Sequence, residues 1–171
     1  MSMVIIRSEK ADDIPIGTAI LMAAYGRDDA ARMVNAVRDA TEYFHPGLSI
    51  VAAEDDQIVG YALYCRAMVA AQPSAFLVTL GVLPDKQKQG IGERLVRHGL
   101  ERCRGLGLEL VFVLGHPEYF SRLGFRPARP LGIESEFAEN DNDLQAIDLA
   151  GTLLGKITGS LRLPVGLKNI D

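Results

Sequence analysis

Short runs of apolar and β-branched residues alternate along this chain with longer stretches in which apolar residues recur every three or four positions. The short runs predict strands, and the longer stretches predict helices with one buried face. Strands are predicted at residues 3–7, 48–54, 58–70, 74–83, 108–115, 144–149 and 160–163, and helices at residues 16–26, 27–44, 89–104 and 116–125. Strands and helices that alternate in this way are typical of an α/β (α+β) fold with one sheet.

The helix predicted at residues 89–104 has the clearest division between an apolar and a charged face. Its apolar stripe consists of Ile91, Leu95, Val96, Gly99, Leu100 and Cys103. The strand at residues 108–115 is apolar on both faces, as expected of an internal strand between two layers of helices. Because no internal repeat, low-complexity tract or long linker interrupts the pattern, we expect a single domain over residues 1–171.

The amino-acid composition indicates the size of the core, the cellular compartment and the ligands to expect for this domain. Hydrophobic residues make up 48% of the 171 residues, which is enough for a substantial core. The N-terminal segment lacks a basic region followed by a long apolar run, and no apolar stretch approaches the roughly 20 residues that span a bilayer. The two cysteines, Cys65 and Cys103, form no CxxC pair and no metal-ligand spacing. We therefore expect a cytoplasmic protein that binds no metal and no membrane, with both cysteines in the core.

Charge is distributed unevenly along the chain. The formal net charge is −4, but residues 85–104 contain six basic and three acidic residues, so that this segment carries +3 and the remainder −7. The acidic total argues against a general nucleic-acid binder, and a basic island on an acidic body suits a small anionic ligand. If only the charges are considered, the simpler explanation of this basic segment is a helix face that is exposed to solvent and binds no ligand.

Two glycines, Gly90 and Gly92, stand where the helix at residues 89–104 begins. Glycine costs about 1 kcal/mol relative to alanine inside a helix, so its use here indicates that something approaches the backbone closely. The first N–H groups of a helix have no internal partner and bind anions such as diphosphate. The GxxxxGK[ST] phosphate loop is absent, and the dinucleotide fingerprint GxGxxG fails because Leu95 replaces its third glycine.

The sequence around these glycines matches a third pattern. The loop "QKQGIG", residues 87–92, follows the strand end "LGVLP", and one helix later come a strand, the segment "GHPEYFSRLGFRPA" and the tail "LQAIDL". This arrangement resembles the GNAT superfamily of acyl-CoA-dependent N-acyltransferases, and most of all its YhbS-like subgroup. The resemblance covers nearly the whole chain, and it implies a strongly bent mixed β-sheet with helices on both sides.

In that superfamily the glycine loop and the strand before it hold acetyl-CoA, the acetyl donor. The resemblance implies that backbone groups of Leu80, Gly81 and Val82 hydrogen-bond the pantetheine arm. It also implies that the loop holds the pyrophosphate, through Gln87, Lys88, Gln89, Gly90, Ile91 and Gly92. Lys86 and Lys88 either touch the phosphates or only add attraction at a distance.

The catalytic groups of the superfamily are matched less completely. Attack of an amine on a thioester needs a way to deprotonate the ammonium, donors for the oxyanion and a proton for the leaving thiolate. The backbone N–H of Val82 can serve as the oxyanion donor. The thiolate acid of many relatives is the tyrosine of "YxxLGF", where this chain has Phe120, so the adjacent Tyr119 is the candidate acid and Phe120 a CoA contact.

The general base is left open by the sequence. Relatives often place a glutamate on the strand before the glycine loop, and the strand at residues 74–83 contains none. His116 stands where many relatives carry an asparagine that contacts CoA, so it is a candidate for a CoA contact, for a cap of the next helix or for the base. Glu118, the pair Glu42 and His45, and a bound water are the other candidates.

The resemblance implies that this protein moves the acetyl group of acetyl-CoA to a primary amine of a small molecule, a lysine side chain or a protein N-terminus. Transfer is expected to be direct, because neither cysteine has a basic neighbour that would activate it as an acetyl carrier. The acidic balance favours a cationic acceptor such as a polyamine or an aminoglycoside. A non-catalytic acetyl-CoA sensor and a dinucleotide enzyme are the alternatives, and a homodimer is possible because many relatives pair through their C-terminal strands.

Overall fold

The structure is a computed structural model that describes residues 3–138, 140, 142–164 and 166–167. Its strands are β1 Val4–Ser8, β2 Ser49–Glu54, β3 Gln57–Val69, β4 Gln72–Val82, β5 Leu110–Leu114, β6 Arg126–Pro127, β7 Ile133–Glu134, β8 Leu144–Asp148 and β9 Gly159–Arg162. Its helices are α1 Ile14–Tyr25, α2 Asp29–Asp39, α3 Ile91–Gly105 and α4 Pro117–Ser121, and short 3₁₀ turns occupy Ala11–Asp13, Pro46–Leu48, Pro84–Lys86 and Arg129–Leu131. Every strand and helix that the sequence predicts is present. The two-residue strands β6 and β7 are too short to leave a periodic pattern.

Three predicted helix boundaries are wrong for physical reasons. The helix predicted at residues 116–125 ends at Ser121, because the N–H groups of Leu123 and Gly124 bond to carbonyls only three residues back. The helix predicted at residues 27–44 ends at Asp39, because the N–H groups of Tyr43 and Phe44 fold back onto the carbonyl of Ala40. The carbonyl of Tyr43 then accepts a hydrogen bond of 2.8 Å from the N–H of Arg66 on β3, a tertiary contact that no local pattern contains. Helix α3 begins at Ile91 instead of residue 89, because Gly90 has a φ of +84° and cannot be helical.

The sheet has the order β1-β2-β3-β4-β5-β8-β6 and is mixed. β4 and β5 are parallel, and their register runs over three residue pairs, 75–77 with 111–113. β4 itself continues to Val82, and within the described residues this last part of β4 pairs only with β3. A bulge between Leu63 and Tyr64 of β3 leaves Val78 as an extra residue on β4, at the point where β4 and β5 separate. The sheet therefore splits open between its two central strands.

Both faces of the sheet carry a hydrophobic core. Successive residues of β3 alternate between the two, so that Leu63 packs toward α1 and α2 while Tyr64 packs toward α3. Cys65 lies in the first core and Cys103 in the second, both fully buried as the sequence predicts. Burial raises the pKa of both thiols, that of Cys103 to about 12, which makes them poor nucleophiles.

A buried ion pair holds α2 against the sheet. The guanidinium of Arg38 donates to both carboxylate oxygens of Glu9, at 2.7 and 2.6 Å. The hydroxyl of Ser49 on β2 donates to the same carboxylate at 2.6 Å and lies 2.9 Å from the Tyr61 hydroxyl on β3. This network ties α2 to β2 and β3, although the buried Nε atom of Arg38 has no hydrogen-bond partner within the described residues.

A second ion pair anchors the start of α1, and it supports a stability prediction. The Asp13 carboxylate, in a residue only 7% exposed, accepts hydrogen bonds from Arg7 at 2.7 Å and from the N–H of Lys10 at 2.8 Å. Asp13→Ala is expected to lower the free energy of unfolding by about 2–3 kcal/mol at pH 7, because the Arg7 guanidinium loses its partner. The hydrogen bond from Arg7 holds the pKa of Asp13 below its usual range. This stabilisation is therefore present above about pH 4 and is lost as the pH falls through the folded-state pKa.

Urea denaturation at pH 7 and pH 3 measures both effects. The control is Asp12→Ala, which removes the exposed neighbouring carboxylate. We expect little change for the control at either pH, and equal losses for the two variants would contradict the role given to Asp13.

Candidate active site

The split between β4 and β5 opens a cavity of about 450 Å³. Its walls come from the end of α1, from α2, from β4 and β5, and from α4. The residues that line this first cavity are Tyr25, Arg27, Asp29, Ala30, Met33, Leu77, Val78, Thr79, Leu80, Val113, Leu114, His116, Tyr119 and Phe120. A second cavity of about 510 Å³ lies at the N-terminus of α3, lined by Leu80, Val82, Lys86, Gln87, Lys88, Gly90, Gly92, Tyr119 and Arg122. Leu80 and Tyr119 border both, so the two cavities adjoin.

The free edge of β4 connects the two cavities. The N–H of Leu83 donates to the carbonyl of Val59 at 2.9 Å, and hydrogen-bonded pairs of an antiparallel ladder recur at every second residue. Gly81 and Thr79 therefore bond to β3, whereas the backbone N–H and C=O groups of Leu80 and Val82 point away from β3 into the split. A strand edge of this kind can pair with an extended ligand.

Two side chains of the protein already reach this edge. The hydroxyl of Tyr25, at the end of α1, donates to the carbonyl of Leu80, and the amide of Gln87 donates to the carbonyl of Val82 at 3.0 Å. Burial raises the pKa of Tyr25, so its hydroxyl remains a donor at neutral pH. Each carbonyl oxygen has a second lone pair that a ligand can use.

Gly81 differs from its two neighbours on β4. Its backbone is turned to β3, and a Cβ atom on it would lie 2.9 Å from the Leu21 side chain of α1. A side chain at this position would push α1 outward. The structure thus places Gly81 as a packing contact for α1, not as a backbone partner for a ligand in the split.

The glycine loop borders the second cavity and contains two residues with a left-handed backbone. Lys88 and Gly90 have φ values of +64° and +84°, and alternating conformations of this kind form concave anion-binding nests. A Cβ atom on Gly90 would meet no described atom within 4 Å, so the space above it is open. Ile91 is buried in the core beneath α3 and contributes only its backbone to the loop. Gln89 folds its side chain back onto the carbonyl of Asp85, at 3.4 Å.

Basic side chains line the second cavity, and one of them, Arg122, was not predicted from the sequence. The ammonium of Lys86 is 3.0 Å from the Glu54 carboxylate, which raises the pKa of Lys86 and offsets its charge. Arg122 lines the cavity beside Lys88, with its guanidinium carbon 6.0 Å from the centre of the Tyr119 ring. The spacing of Tyr119 and Arg122, three residues apart on a helical segment, was a signal that could have identified Arg122.

Tyr119 and Phe120 point in different directions, as neighbours on a helix do. Phe120 is 4% exposed and packs edge-on against Phe125, with ring centres 5.5 Å apart. The Tyr119 hydroxyl lies at the junction of the two cavities, 3.0 Å from the position that a Cβ atom on Gly92 would occupy. Burial raises the pKa of Tyr119, Glu93 raises it further and Arg122 lowers it. The phenol therefore stays protonated at neutral pH.

His116 lines the first cavity from the entrance to α4. It occupies the N-cap position with a left-handed backbone, φ +49°, but its side chain makes no capping hydrogen bond within the described residues. His116 is therefore the N-cap of α4 by position, and its backbone carbonyl accepts from the N–H groups of Tyr119 and Phe120, but its imidazole does not cap the helix. The other base candidates, Glu118, Glu42 and His45, do not line either cavity.

No group of three or more His, Cys, Asp or Glu side chains that could hold a metal ion occurs among the described residues. Within the same residues no helix has the length and apolar character that crossing a membrane requires.

Known proteins resemble this chain in both sequence and structure. A sequence model described as the acetyltransferase (GNAT) family matches residues 15–125. The N-acetyltransferase YhbS of Escherichia coli is 28% identical over 158 residues, which cover 91% of this chain and 93% of YhbS. The E. coli N-acetyltransferase YjhQ is 36% identical over 108 residues, and this alignment spans 61% of the chain and 59% of YjhQ.

Solved structures confirm the fold that the sequence predicts. The crystal structure of E. coli YhbS in complex with CoA superposes with a TM-score of 0.90 at 26% identity, covering 98% of this chain and 93% of that one. A GNAT family acetyltransferase from Brucella melitensis in complex with acetyl-CoA superposes with a TM-score of 0.75 at 24% identity, covering 96% and 97%. The bent mixed sheet with helices on both sides is shared with these proteins.

Proposed function

The chain belongs to the acetyltransferase (GNAT) family of N-acetyltransferases, and we propose that it transfers the acetyl group of acetyl-CoA directly to a primary amine. One observation carries this proposal. The glycine loop at the start of α3 and the cavity in the sheet are joined by the free edge of β4, so that an elongated donor can lie with its anionic end on the loop and its reactive end in the cavity. The relatives crystallised with CoA and acetyl-CoA support the same donor.

The donor's diphosphate is assigned to the α3 N-terminus. The backbone of residues 87–92 supplies N–H groups, Gly90 and Gly92 keep the approach clear, and Lys88 and Arg122 supply positive charge. These groups match what a doubly charged anion needs: directed donors, open space and compensating charge.

The pantetheine arm is assigned to the edge of β4, where Val82 and then Leu80 offer their backbone groups. From Val82 back to the bulge at Val78 the strand runs roughly 13 Å. The thioester, at the far end of the arm from the diphosphate, therefore comes to Leu80 and Val78 in the first cavity. The N–H of Leu80 is accordingly a better oxyanion donor than that of Val82, which lies nearer the diphosphate.

The chemistry then uses groups that face the first cavity. The neutral amine attacks the thioester carbonyl carbon, the oxyanion accepts a hydrogen bond from the N–H of Leu80, and the C–S bond breaks as the amide forms. The Tyr119 hydroxyl, at the junction of the cavities, gives its proton to the departing thiolate. His116 lines this cavity, and its imidazole is assigned as the group that accepts the proton of the ammonium, directly or through water. The buried cysteines leave no accessible thiol among the cavity residues to carry the acetyl group.

Tyr119→Phe tests the assigned acid. We expect a fall in kcat of about 10- to 100-fold, because the thiolate must then take its proton from water. The dissociation constant for acetyl-CoA should stay the same, since the ring and its packing remain. Tyr43→Phe is the control, because it also removes one phenol hydroxyl and Tyr43 lines neither cavity. Equal kcat values for the two variants would rule out Tyr119 as the acid.

The proposed function itself is tested with purified protein, acetyl-CoA and a panel of primary amines. Calorimetry measures acetyl-CoA binding, and release of the free CoA thiol together with the mass of the product measures transfer. Binding with acetylation of at least one amine is expected. Binding without transfer to any amine would favour the acetyl-CoA sensor, the alternative suggested by Phe120 at the usual position of the acid. No binding by the folded protein would exclude both.

A further inference from the structure

Much of the wall of the first cavity that lies away from β4 is apolar. Met33 and Ala30 of α2, Val113 and Leu114 of β5, and Phe120 of α4 line it. Because the donor's arm is assigned to the β4 side, the acceptor must lie against these apolar side chains. Surfaces of this kind bind hydrocarbon and aromatic groups.

The cavity contains few groups that could stabilise a second positive charge on the acceptor. Asp29 is the one carboxylate among the described residues that line it. Arg27 bonds one oxygen of this carboxylate, and the Nη2 atom of Arg32 lies 3.0 Å from the other. The same Arg32 atom lies 3.6 Å from the Asp28 carboxylate, so the two guanidinium groups balance the charges of Asp28 and Asp29 together. A second ammonium in the cavity would lose water without gaining a carboxylate partner.

Apolar surface continues outward from the mouth of the cavity along α1. The sequence of this helix, IPIGTAILMAAY, contains no charged residue. Tyr25 lines the cavity, and Met22 lies one turn before it on the same side of the helix; they are 48% and 49% exposed. A ligand that extends out of the cavity over α1 therefore meets apolar groups there as well.

We propose that the acceptor is a hydrophobic monoamine, with one primary amine on an uncharged aliphatic or aromatic body that packs against Met33, Val113 and the exposed side of α1. This inference rests on the proposed acetyl transfer. It replaces the expectation of a cationic acceptor such as a polyamine, an aminoglycoside or a lysine side chain, because the acidic balance of the whole chain does not produce uncompensated carboxylates in this cavity.

Two amines of equal length test the proposal on the unmodified protein. Hexylamine and cadaverine differ only in whether the carbon chain ends in a methyl group or in a second ammonium. We expect kcat/KM to be at least about 10-fold higher for hexylamine, because the cavity would have to desolvate the second ammonium. A kcat/KM for cadaverine that equals or exceeds that for hexylamine overturns the proposal.

Met33→Glu should reverse this preference by adding an uncompensated carboxylate to the apolar wall. We expect kcat/KM for hexylamine to fall and that for cadaverine to rise. Met3→Glu is the matched control, because Met3 is 70% exposed next to β1, three strands away from β4. The control should keep the preference of the unmodified protein, and identical effects of the two substitutions would overturn the proposal.

Binding measurements separate failure of this inference from failure of acetyl transfer. If acetyl-CoA binds but no amine of the panel, these two included, is acetylated, the proposed function fails. Calorimetric titration of each amine into the CoA-loaded protein then still decides the inference: tighter binding of hexylamine supports it, and equal or tighter binding of cadaverine overturns it.

Discussion

Gly90→Val is expected to raise the dissociation constant for acetyl-CoA by roughly 100-fold or more, which corresponds to about 3 kcal/mol of lost binding free energy. Gly90 caps α3 with a φ of +84°, and a Cβ atom on it would point into space that no described atom occupies within 4 Å. The branched valine side chain would therefore fill the place assigned to the diphosphate. It also disfavours the left-handed conformation by about 1–2 kcal/mol and so tends to turn the loop N–H groups away. Calorimetric titration with acetyl-CoA measures the effect.

Gly107→Val is the matched control for the backbone strain that valine causes at a position with positive φ. Gly107 has a φ of +76°, and a Cβ atom on it would likewise meet no described atom within 4 Å, but it lies beyond the far end of α3. The distance from Gly90 is about 25 Å along the helix axis. Both variants should lose similar stability in thermal melts, and only Gly90→Val should lose binding. Tight binding by a folded Gly90→Val protein would exclude the glycine loop as the diphosphate site.

Gly99→Ala is expected to destabilise the protein by about 2–4 kcal/mol, although alanine is the better helix former. A Cβ atom on Gly99 would lie 2.6 Å from Cζ and 2.7 Å from Cδ2 of the Tyr64 ring, and closer still to Cε2. Tyr64 cannot move aside easily, because it is fully buried and its hydroxyl donates to the carbonyl of Val96 at 2.8 Å. A closely packed core has no room for the added methyl group, so α3 would have to shift from the sheet. Urea denaturation measures the loss.

Gly105→Ala provides the control in the same helix. A Cβ atom on Gly105 would meet no described atom within 4 Å, so this substitution should be neutral or stabilise by up to about 1 kcal/mol. Tyr64→Leu should lower the free energy of unfolding by less in the Gly99→Ala protein than in the unmodified protein, because it removes the ring that the methyl group meets. The expected coupling between the two substitutions is at least about 1 kcal/mol. Additive effects of the two substitutions would contradict the proposed clash.

Much of the fold and the location of the donor loop could be predicted from the sequence. The stripe from Ile91 to Cys103 is the buried face of α3, and Cys65 lies in a buried strand, as the pattern indicates. The helix predicted at residues 27–44 was too long, because the N–H of Arg66 captures the carbonyl of Tyr43 from a distant strand. Periodicity reports which face of an element is apolar, but not where a tertiary contact stops the element.

Only part of the candidate site could be predicted from the sequence, because the rest depends on tertiary contacts. The pattern at residues 87–92 located the glycine loop, since a positive φ and open space are requirements of the loop itself. It did not distinguish Gly81, which packs against α1, from Leu80 and Val82, because that difference depends on the register between β3 and β4. The position of Tyr119 between two cavities, and of Arg122 beside it, depends on how α4 packs against the start of α3.

The order of strands and helices along the chain, the burial of both cysteines and the glycine turn before α3 could be predicted without a structure, because hydrophobic periodicity and backbone conformation are properties of short stretches of chain. The separation of β4 and β5 after three pairs, the backbone groups that face the split and the compensation of the Asp29 carboxylate became visible only in the folded protein. These features arise where distant segments meet, and strand register and charge pairing exist only once the chain has folded.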